Sequence, residues 1–159
     1  MGRQLLIVDD DEVIRLMLES HFRIRGYTCQ TAIDGNTALA ILSRGQIQVL
    51  ITDLDMPGMD GIALLRAVRK QGLFTRCVVV TGYATISNLT SCLREGAVGL
   101  VPKPLTTYTV LDEVVDLAFT QMQRWVDQMT AIVRLRPEVN STTTTHQCTA
   151  LEPKAKAIS

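Results

Sequence analysis

The sequence has little of what would place it in several specialised classes of protein. Aromatic residues make up 4% of its 159 residues, and the formal net charge is +0 because 16 Lys and Arg balance 16 Asp and Glu. A balanced charge provides no basic field to hold nucleic acid or an anionic membrane. No apolar run approaches the ~18 residues of a membrane span, and no charged-then-apolar signal region opens the chain. We therefore expect a cytoplasmic protein without direct contact to nucleic acid or membrane.

Disulfide and zinc frameworks are not indicated either. The four cysteines, at positions 29, 77, 92 and 148, show neither CxxC spacing nor a metal-ligand pattern. Reduced, buried thiols are the better interpretation. Hydrophobic residues at 47% and charged residues at 20% are ordinary globular usage, and the length corresponds to about one domain.

Short apolar runs alternate with helical patterns along most of the chain. Strands are predicted at residues 5–8, 27–31, 49–51, 77–80 and 100–101, and helices at residues 11–25, 36–44, 61–71, 85–95 and about 106–135. Three of the runs are continuously apolar, which is typical of strands buried on both faces of a parallel sheet. Five strand–helix repeats predict a doubly wound α/β fold with five parallel strands. From residue 136 the composition turns polar, and a flexible tail is expected at 136–159.

Polar residues follow four of the predicted strands. They are Asp9, Asp10 and Asp11 after the first, Asp53 and Asp55 after the third, Thr81 after the fourth and Lys103 after the fifth. Because the carboxyl ends of parallel strands share one edge of the sheet, these groups are expected to meet there. Carboxylates that share a site repel one another, and Mg²⁺, with Mn²⁺ as an alternative, suits their oxygens. A lysine and a hydroxyl beside such an ion form a pocket for a phosphoryl group, with one Asp as the nucleophile.

Two plainer interpretations apply to parts of this set. A carboxylate is favoured at a helix N-terminus, and we accept that explanation for Asp11 alone. Asp53 and Asp55 form a DxD motif, which also resembles the opening motif of haloacid-dehalogenase-type phosphatases. That motif normally follows the first strand, whereas here it follows the third and continues into Met56 and Pro57.

Four segments taken together resemble the receiver domains of two-component response regulators. They are LLIVDDD, ITDLDMPGMDG, VVVTGY and VPKP, in that order, and the resemblance covers roughly residues 4–121. It implies a flavodoxin-like sheet with strand order 2-1-3-4-5. It also implies a phosphoprotein that catalyses its own phosphorylation and dephosphorylation within a phosphorelay.

The resemblance assigns a role to each strand-end residue. Asp53 would accept a phosphoryl group from a sensor histidine kinase or a phosphotransfer protein. Asp9, Asp10, Asp53 and the backbone carbonyl of Asp55 would hold Mg²⁺. Thr81 and Lys103 would contact the phosphoryl group and transmit its arrival, and the bond between Lys103 and Pro104 would be cis.

Two further features bear on lifetime and readout. By resemblance, Asp55 and Tyr83 occupy the positions that tune access of water to the acyl phosphate, and we expect a long-lived phosphoryl state. Receivers usually carry Tyr or Phe three residues before the signalling lysine. Here that position is Leu100, so it is an open question whether an aromatic side chain takes part in transmitting the shift of Thr81. Pro102 also removes a backbone donor just before Lys103.

Three kinds of function fit a receiver. The first is a stand-alone switch whose output is a changed binding surface, and the second is a receiver cut from a longer regulator with an output domain. The third is an interaction module that works without phosphorylation, and the complete acidic set with Thr81 and Lys103 argues against it.

The last helix is the most individual feature of the sequence. Receivers usually end it about twenty residues after the signalling lysine, near Gln123 here, whereas this pattern continues to about Leu135 and adds about 18 Å. We assign residues 122–135 to this extension. Met122, Trp125, Met129 and Ile132 follow alternating steps of three and four, which is the seam of a coiled coil. This predicts a homodimer through paired final helices with Trp125 exposed. The alternatives are an extension that folds back across its own domain or docks on a different protein.

Overall fold

The computed structural model describes residues 2–135 and places five strands between two layers of helices. The strands are β1 (Gln4–Val8), β2 (Thr28–Ala32), β3 (Val49–Thr52), β4 (Arg76–Thr81) and β5 (Ala97–Pro102). The helices are α1 (Glu12–Ile24), α2 (Gly35–Leu42), α3 (Gly61–Lys70), α4 (Ile86–Arg94) and α5 (Thr109–Arg134).

The five strands form one parallel sheet in the order β2-β1-β3-β4-β5. This confirms the doubly wound fold and the strand order expected from the sequence. The register aligns the ends of β1 and β3, since Val8 lies opposite Thr52. Thr52 in turn lies opposite Val79, two residues before the end of β4. Residues that follow β1 and β3 therefore leave the sheet side by side.

The sheet separates two hydrophobic clusters. On one face, side chains of β1, β3 and β4 pack with helices α2, α3 and α4; on the other, the alternate side chains pack with α1 and α5. Leu6 and Leu50 belong to the first cluster, and Ile7 and Ile51 to the second, all at most 1% exposed. Burial on both faces is the reason these strands read as continuous apolar runs.

Side chains cap the first four helices. Asp11, Asp34, Asp60 and Thr85 each accept backbone N–H groups from the first turn of α1, α2, α3 and α4 respectively. Such caps satisfy donors that have no partner within the helix. Asp11 thus has the position at a helix N-terminus that the sequence indicated.

Most predicted bounds agree with the structure to within two residues, but two elements begin three residues from their predicted start. Strand β5 runs from Ala97 to Pro102 instead of residues 100–101, because pairing with β4 extends it past the apolar run. Helix α5 begins at Thr109 instead of about residue 106, because residues 103–108 form a loop. That loop contains the expected cis bond between Lys103 and Pro104.

Helix α5 continues without a break for 26 residues, about 39 Å. Its first half packs on the sheet and ends in Met122, which is 9% exposed. Trp125 is 38% exposed, and its ring lies 4.9 Å from that of Phe74. The sequence predicted an exposed Trp125 but not this contact, which covers part of the indole.

Cys29, Cys77 and Cys92 are free and buried, as the sequence predicted for reduced thiols. Cys148 and the predicted tail at 136–159 lie outside the described residues. Within residues 2–135, no helix is both long enough and apolar enough for a bilayer crossing.

Candidate functional site

A lysine joins two carboxylates at the carboxyl edge of the sheet. Lys103 follows β5, and its Nζ donates to Asp9 Oδ2 at 2.7 Å and to Asp53 Oδ2 at 2.9 Å. The side chains of Lys103, Asp9 and Asp53 are only 15%, 3% and 9% exposed. The sheet therefore brings together residues from three strand ends that are up to 94 positions apart in sequence.

The loop after β1 adds a third carboxylate. Asp9, Asp10 and Asp53 each present an oxygen within 4.8 Å of the other two, with Asp10 on the exposed side. Asp9 Oδ1 accepts the N–H of Asp11 at 2.9 Å, which holds the side chain against the loop. Three carboxylate oxygens at this spacing, open to water on one side, fit a hard divalent cation such as Mg²⁺.

Asp53 is held in place by hydrogen bonds to β1 and to its own loop. Its N–H donates to the carbonyl of Val8 at 3.0 Å, which ties the start of the β3–α3 loop to β1. Its Oδ1 accepts the N–H of Leu54 at 2.6 Å. Its other oxygen, Oδ2, faces the lysine. Both oxygens of this carboxylate are thus hydrogen-bonded, and it lies close to the carboxylates of Asp9 and Asp10.

Burial and charge act against each other in this cluster. Burial raises the pKa of Asp9, and hydrogen bonds from Lys103 and Asp11 only partly oppose it, so the pKa remains above its ordinary value. For Lys103, burial acts to lower the pKa, but the hydrogen bonds and charges of Asp9 and Asp53 outweigh it and the pKa is raised. The lysine is therefore firmly cationic at neutral pH and balances part of the negative charge.

Thr81 lies at the end of β4, beside the lysine. It is fully buried, and its carbonyl accepts the N–H of Lys103 at 2.8 Å. Its hydroxyl Oγ1 accepts the N–H of Tyr83 at 3.2 Å. The carbonyl of Tyr83 in turn accepts the side-chain amide of Asn88 on α4 at 2.8 Å. The hydroxyl is thereby linked through the β4–α4 loop to a helix.

The remaining residues singled out in the sequence lie around this centre. Asp55 and Tyr83 are exposed, with Tyr83 at 61%. Leu100 is partly buried and packs against the cluster formed with α2, α3 and α4. Trp125, Met129 and Ile132 belong to the last turns of α5, beyond the part of the helix that packs on the sheet.

Sequence reasoning missed two residues at the site. A Cβ added to Gly61 would lie 2.1 Å from the carbonyl oxygen of Asp53, so only glycine allows α3 to begin this close to the strand end. Arg15 on α1 donates from its guanidinium to the carbonyl of Asp9 at 2.7 Å. The glycine after the Asp60 cap was a visible signal for the first, whereas nothing in the sequence indicated the second.

Comparison with known proteins shows what the chain is similar to. Residues 5–115 match a family model described as the response regulator receiver domain. The DNA-binding transcriptional regulator NtrC of Salmonella typhimurium is 34% identical over 122 residues, 77% of this chain and 25% of that protein. The sensor histidine kinase RcsC of Escherichia coli is 36% identical over 102 residues, 64% of this chain and 11% of that protein.

Solved structures agree with these relatives. The chemotaxis protein CheY4 of Vibrio cholerae has a TM-score of 0.68 at 30% identity and covers 73% of this chain and 98% of its own. A response regulator receiver domain protein of Clostridium thermocellum has a TM-score of 0.72 at 25% identity and covers 79% and 99%. The chain thus corresponds to nearly all of these structures, but to a quarter or less of the curated relatives named above.

Proposed function

This chain belongs to the response regulator receiver domain family, and we propose that it acts as a phosphorylation switch with Asp53 as the phosphoryl acceptor. The donor would be the phosphohistidine of a sensor histidine kinase or of a phosphotransfer protein. The observation that carries the proposal is the buried bridge of Lys103 between Asp9 and Asp53, with Asp10 beside it. We place this activity in the cytoplasm.

The residues divide the chemistry between them. An oxygen of Asp53 forms the bond to phosphorus while the phosphorus–nitrogen bond of the donor breaks, and the imidazole nitrogen leaves with the electron pair. Asp9, Asp10, Asp53 and the carbonyl of Asp55 would hold Mg²⁺, which neutralises charge on the phosphoryl oxygens.

The lysine and the threonine would then respond to the transferred group. Lys103 contacts both carboxylates, and its Nζ is close enough to Asp53 to follow the negative charge onto the phosphoryl oxygens. Thr81 would turn its hydroxyl toward a phosphoryl oxygen and give up the hydrogen bond from Tyr83 N–H. The output is a changed surface near α4, either recognised directly or passed to an output domain of a longer regulator.

Phosphorylation with acetyl phosphate and Mg²⁺ tests the acceptor. We expect one hydroxylamine-labile phosphoryl group per chain, detected by intact mass, and none in Asp53→Asn. Asp55→Asn is the matched control, because it removes a neighbouring carboxylate and leaves the acceptor, so it should keep full stoichiometry. Full incorporation into Asp53→Asn would reject the assignment, as would its loss in Asp55→Asn alone.

We further propose that the phosphoryl state is long-lived. Asp55 and Tyr83 are exposed and flank the acceptor and Thr81 in sequence. A carboxylate there repels hydroxide-like attack, and the Tyr83 ring can shield the acyl phosphate from water. Loss of phosphate within seconds from the purified protein would contradict this, as would an unchanged rate in Tyr83→Ala.

The end of α5 supports a second proposal, a homodimer through paired final helices. Trp125, Met129 and Ile132 form an exposed apolar seam, and Met122 contributes little because it is buried in its own domain. Trp125 and Met129 also line an apolar groove of about 670 Å³, whose other walls include Ile47 and Phe74. A second copy of α5 fits both surfaces, because the seam carries no charge and repeats at coiled-coil spacing.

Sedimentation at tens of micromolar, with and without acetyl phosphate, tests the dimer. We expect a dimer that Trp125→Glu converts to a monomer, while Arg124→Glu on the same turn, off the seam, leaves it intact. A monomer in both conditions would support the alternatives, in which the extension folds back across its own domain or docks on a different protein.

A further inference from the structure

We propose that Arg15 is a positioning residue for the metal site, which it serves by fixing the peptide that joins Asp9 to Asp10. The inference rests on the proposed function, since it assumes that these carboxylates hold Mg²⁺. Arg15 lies on α1, so the proposal adds a helix residue to a site that otherwise consists of residues at strand ends.

The contact is directional and short. One guanidinium nitrogen of Arg15 donates to the carbonyl oxygen of Asp9 at 2.7 Å, in a partly buried position. Within residues 2–135, Arg15 forms no ion pair, and the salt bridges of the site are those of Lys103 with Asp9 and Asp53. Its donor is therefore committed to the main chain, where a charged donor makes a hydrogen bond stronger than a neutral one.

The geometry of the peptide bond gives this contact its consequence. The carbonyl of Asp9 and the nitrogen of Asp10 belong to one rigid plane. A guanidinium that holds the carbonyl therefore holds the orientation of the plane, and with it the direction in which Asp10 leaves the chain. Asp10 is the exposed member of the acidic cluster and begins a loop that reaches α1 only at Glu12.

None of the other contacts of Asp9 fixes its carbonyl group. Its Oδ1 accepts the N–H of Asp11, and its Oδ2 accepts Lys103 Nζ. Its own N–H reaches the carbonyl of Ala32 at 3.4 Å, a long contact. These interactions orient the carboxylate of Asp9, whereas Arg15 alone among the described residues donates to its carbonyl.

Arg15 could influence the metal in two opposite ways, and these can be separated. As a clamp it raises the affinity for Mg²⁺ by presenting Asp9 and Asp10 in a fixed arrangement. As a nearby positive charge it would lower that affinity by repulsion. We infer that the clamp dominates, because partners that orient metal ligands typically contribute 10–100-fold in affinity.

Titration calorimetry with Mg²⁺ alone on the full chain tests the inference. Arg15→Met keeps the unbranched stem of the side chain without its donors or charge, and we expect it to weaken Mg²⁺ binding about tenfold or more. Arg15→Lys keeps the charge and an N–H donor group on a shorter side chain. Its affinity for Mg²⁺ should fall between those of the wild type and Arg15→Met. Arg23→Met is the matched control, because Arg23 lies on the same helix and pairs with Glu19 instead; its affinity should equal that of the wild type.

The possible outcomes distinguish failure of the clamp from failure of the metal site. If Arg15→Met binds Mg²⁺ as tightly as the wild type, or more tightly, the clamp is rejected while the metal site stands. If Arg23→Met weakens binding as much as Arg15→Met, the effect belongs to α1 as a whole and the clamp is again rejected. If the wild type binds no Mg²⁺, or if Asp10→Asn leaves its affinity unchanged, the proposed metal site fails and the clamp fails with it.

Discussion

Replacing Lys103 with methionine tests how much the buried lysine contributes to folding. The change keeps most of the unbranched side chain and removes its charged end, so that Asp9 and Asp53 lose their shared partner. At 2.7 Å and 2.9 Å, each contact has a Coulomb attraction of roughly 6 kcal/mol at an effective dielectric constant of ~20. Most of this is cancelled by the lost hydration of three buried groups. Removing one member of a buried ion pair typically costs about 3–5 kcal/mol, and we expect about 3 kcal/mol here.

The pH dependence of this contribution follows from the raised pKa of Lys103. A group whose pKa is raised in the folded state contributes fully below its unfolded pKa and loses that contribution as the pH rises through the folded value. The stabilisation is therefore complete at pH 7.5 and declines only at strongly alkaline pH. In Lys103→Met, Asp9 loses the hydrogen bond and the charge that lower its pKa. It then gains a proton more readily when folded, so the deficit should shrink as the pH falls toward about 4.

Urea denaturation of the metal-free protein, followed by circular dichroism, provides the measurement. With a dependence of ~1.5 kcal/mol per molar urea, a loss of 3 kcal/mol lowers the midpoint by about 2 M. Lys70→Met is the control, because Lys70 is exposed at the end of α3, and it should change the free energy of unfolding by less than about 0.5 kcal/mol. If Lys103→Met also stays within that range, the bridge does not stabilise the fold and this reasoning is wrong.

Three further predictions concern other parts of the molecule. Gly61→Ala should lower the urea midpoint and slow phosphorylation by acetyl phosphate, because a Cβ would lie 2.1 Å from the carbonyl oxygen of Asp53. An unchanged midpoint and rate would show that the loop shifts to accommodate the Cβ at no cost. Burial raises the pKa of Cys77 to about 12, so that its thiolate fraction at pH 8 is ~10⁻⁴. Mass spectrometry after iodoacetamide treatment should find Cys77 unmodified until the protein is denatured, and rapid native labelling would contradict its burial. Phe74→Ala should red-shift the fluorescence of Trp125 by exposing the indole, and an identical spectrum would mean that the 4.9 Å contact does not form in solution.

Much of the fold could be predicted because its signals are local. The runs around Ile7, Ile51 and Val79 are continuously apolar because the sheet buries both of their faces. Parallel strands end at a common edge, and this predicts from the sequence alone that Asp9 and Asp53 lie close together. The strand order has no such local signal, and it was expected only through the resemblance of four segments to a known family.

Extents and ends of elements were predicted less well. Strand β5 is predicted only at residues 100–101, because Gly99 and Pro102 are disfavoured inside strands. Pairing with β4 extends it to Ala97–Pro102. The start of α5 at Thr109 depends on the conformation of the loop after Lys103. Hydrogen bonds to neighbouring segments decide such boundaries, and these segments are distant in sequence.

The sequence by itself determined which chemical groups stand at the strand ends, and tertiary packing decided how they meet. That Lys103 bridges Asp9 and Asp53, and that Arg15 holds a main-chain carbonyl, depends on distances between segments that no spacing rule contains. The contact of Trp125 with Phe74 likewise joins a helix to a loop 51 positions earlier in the chain. Periodicity assigns a residue to a face, but only close packing of the whole chain selects the neighbour that it touches there.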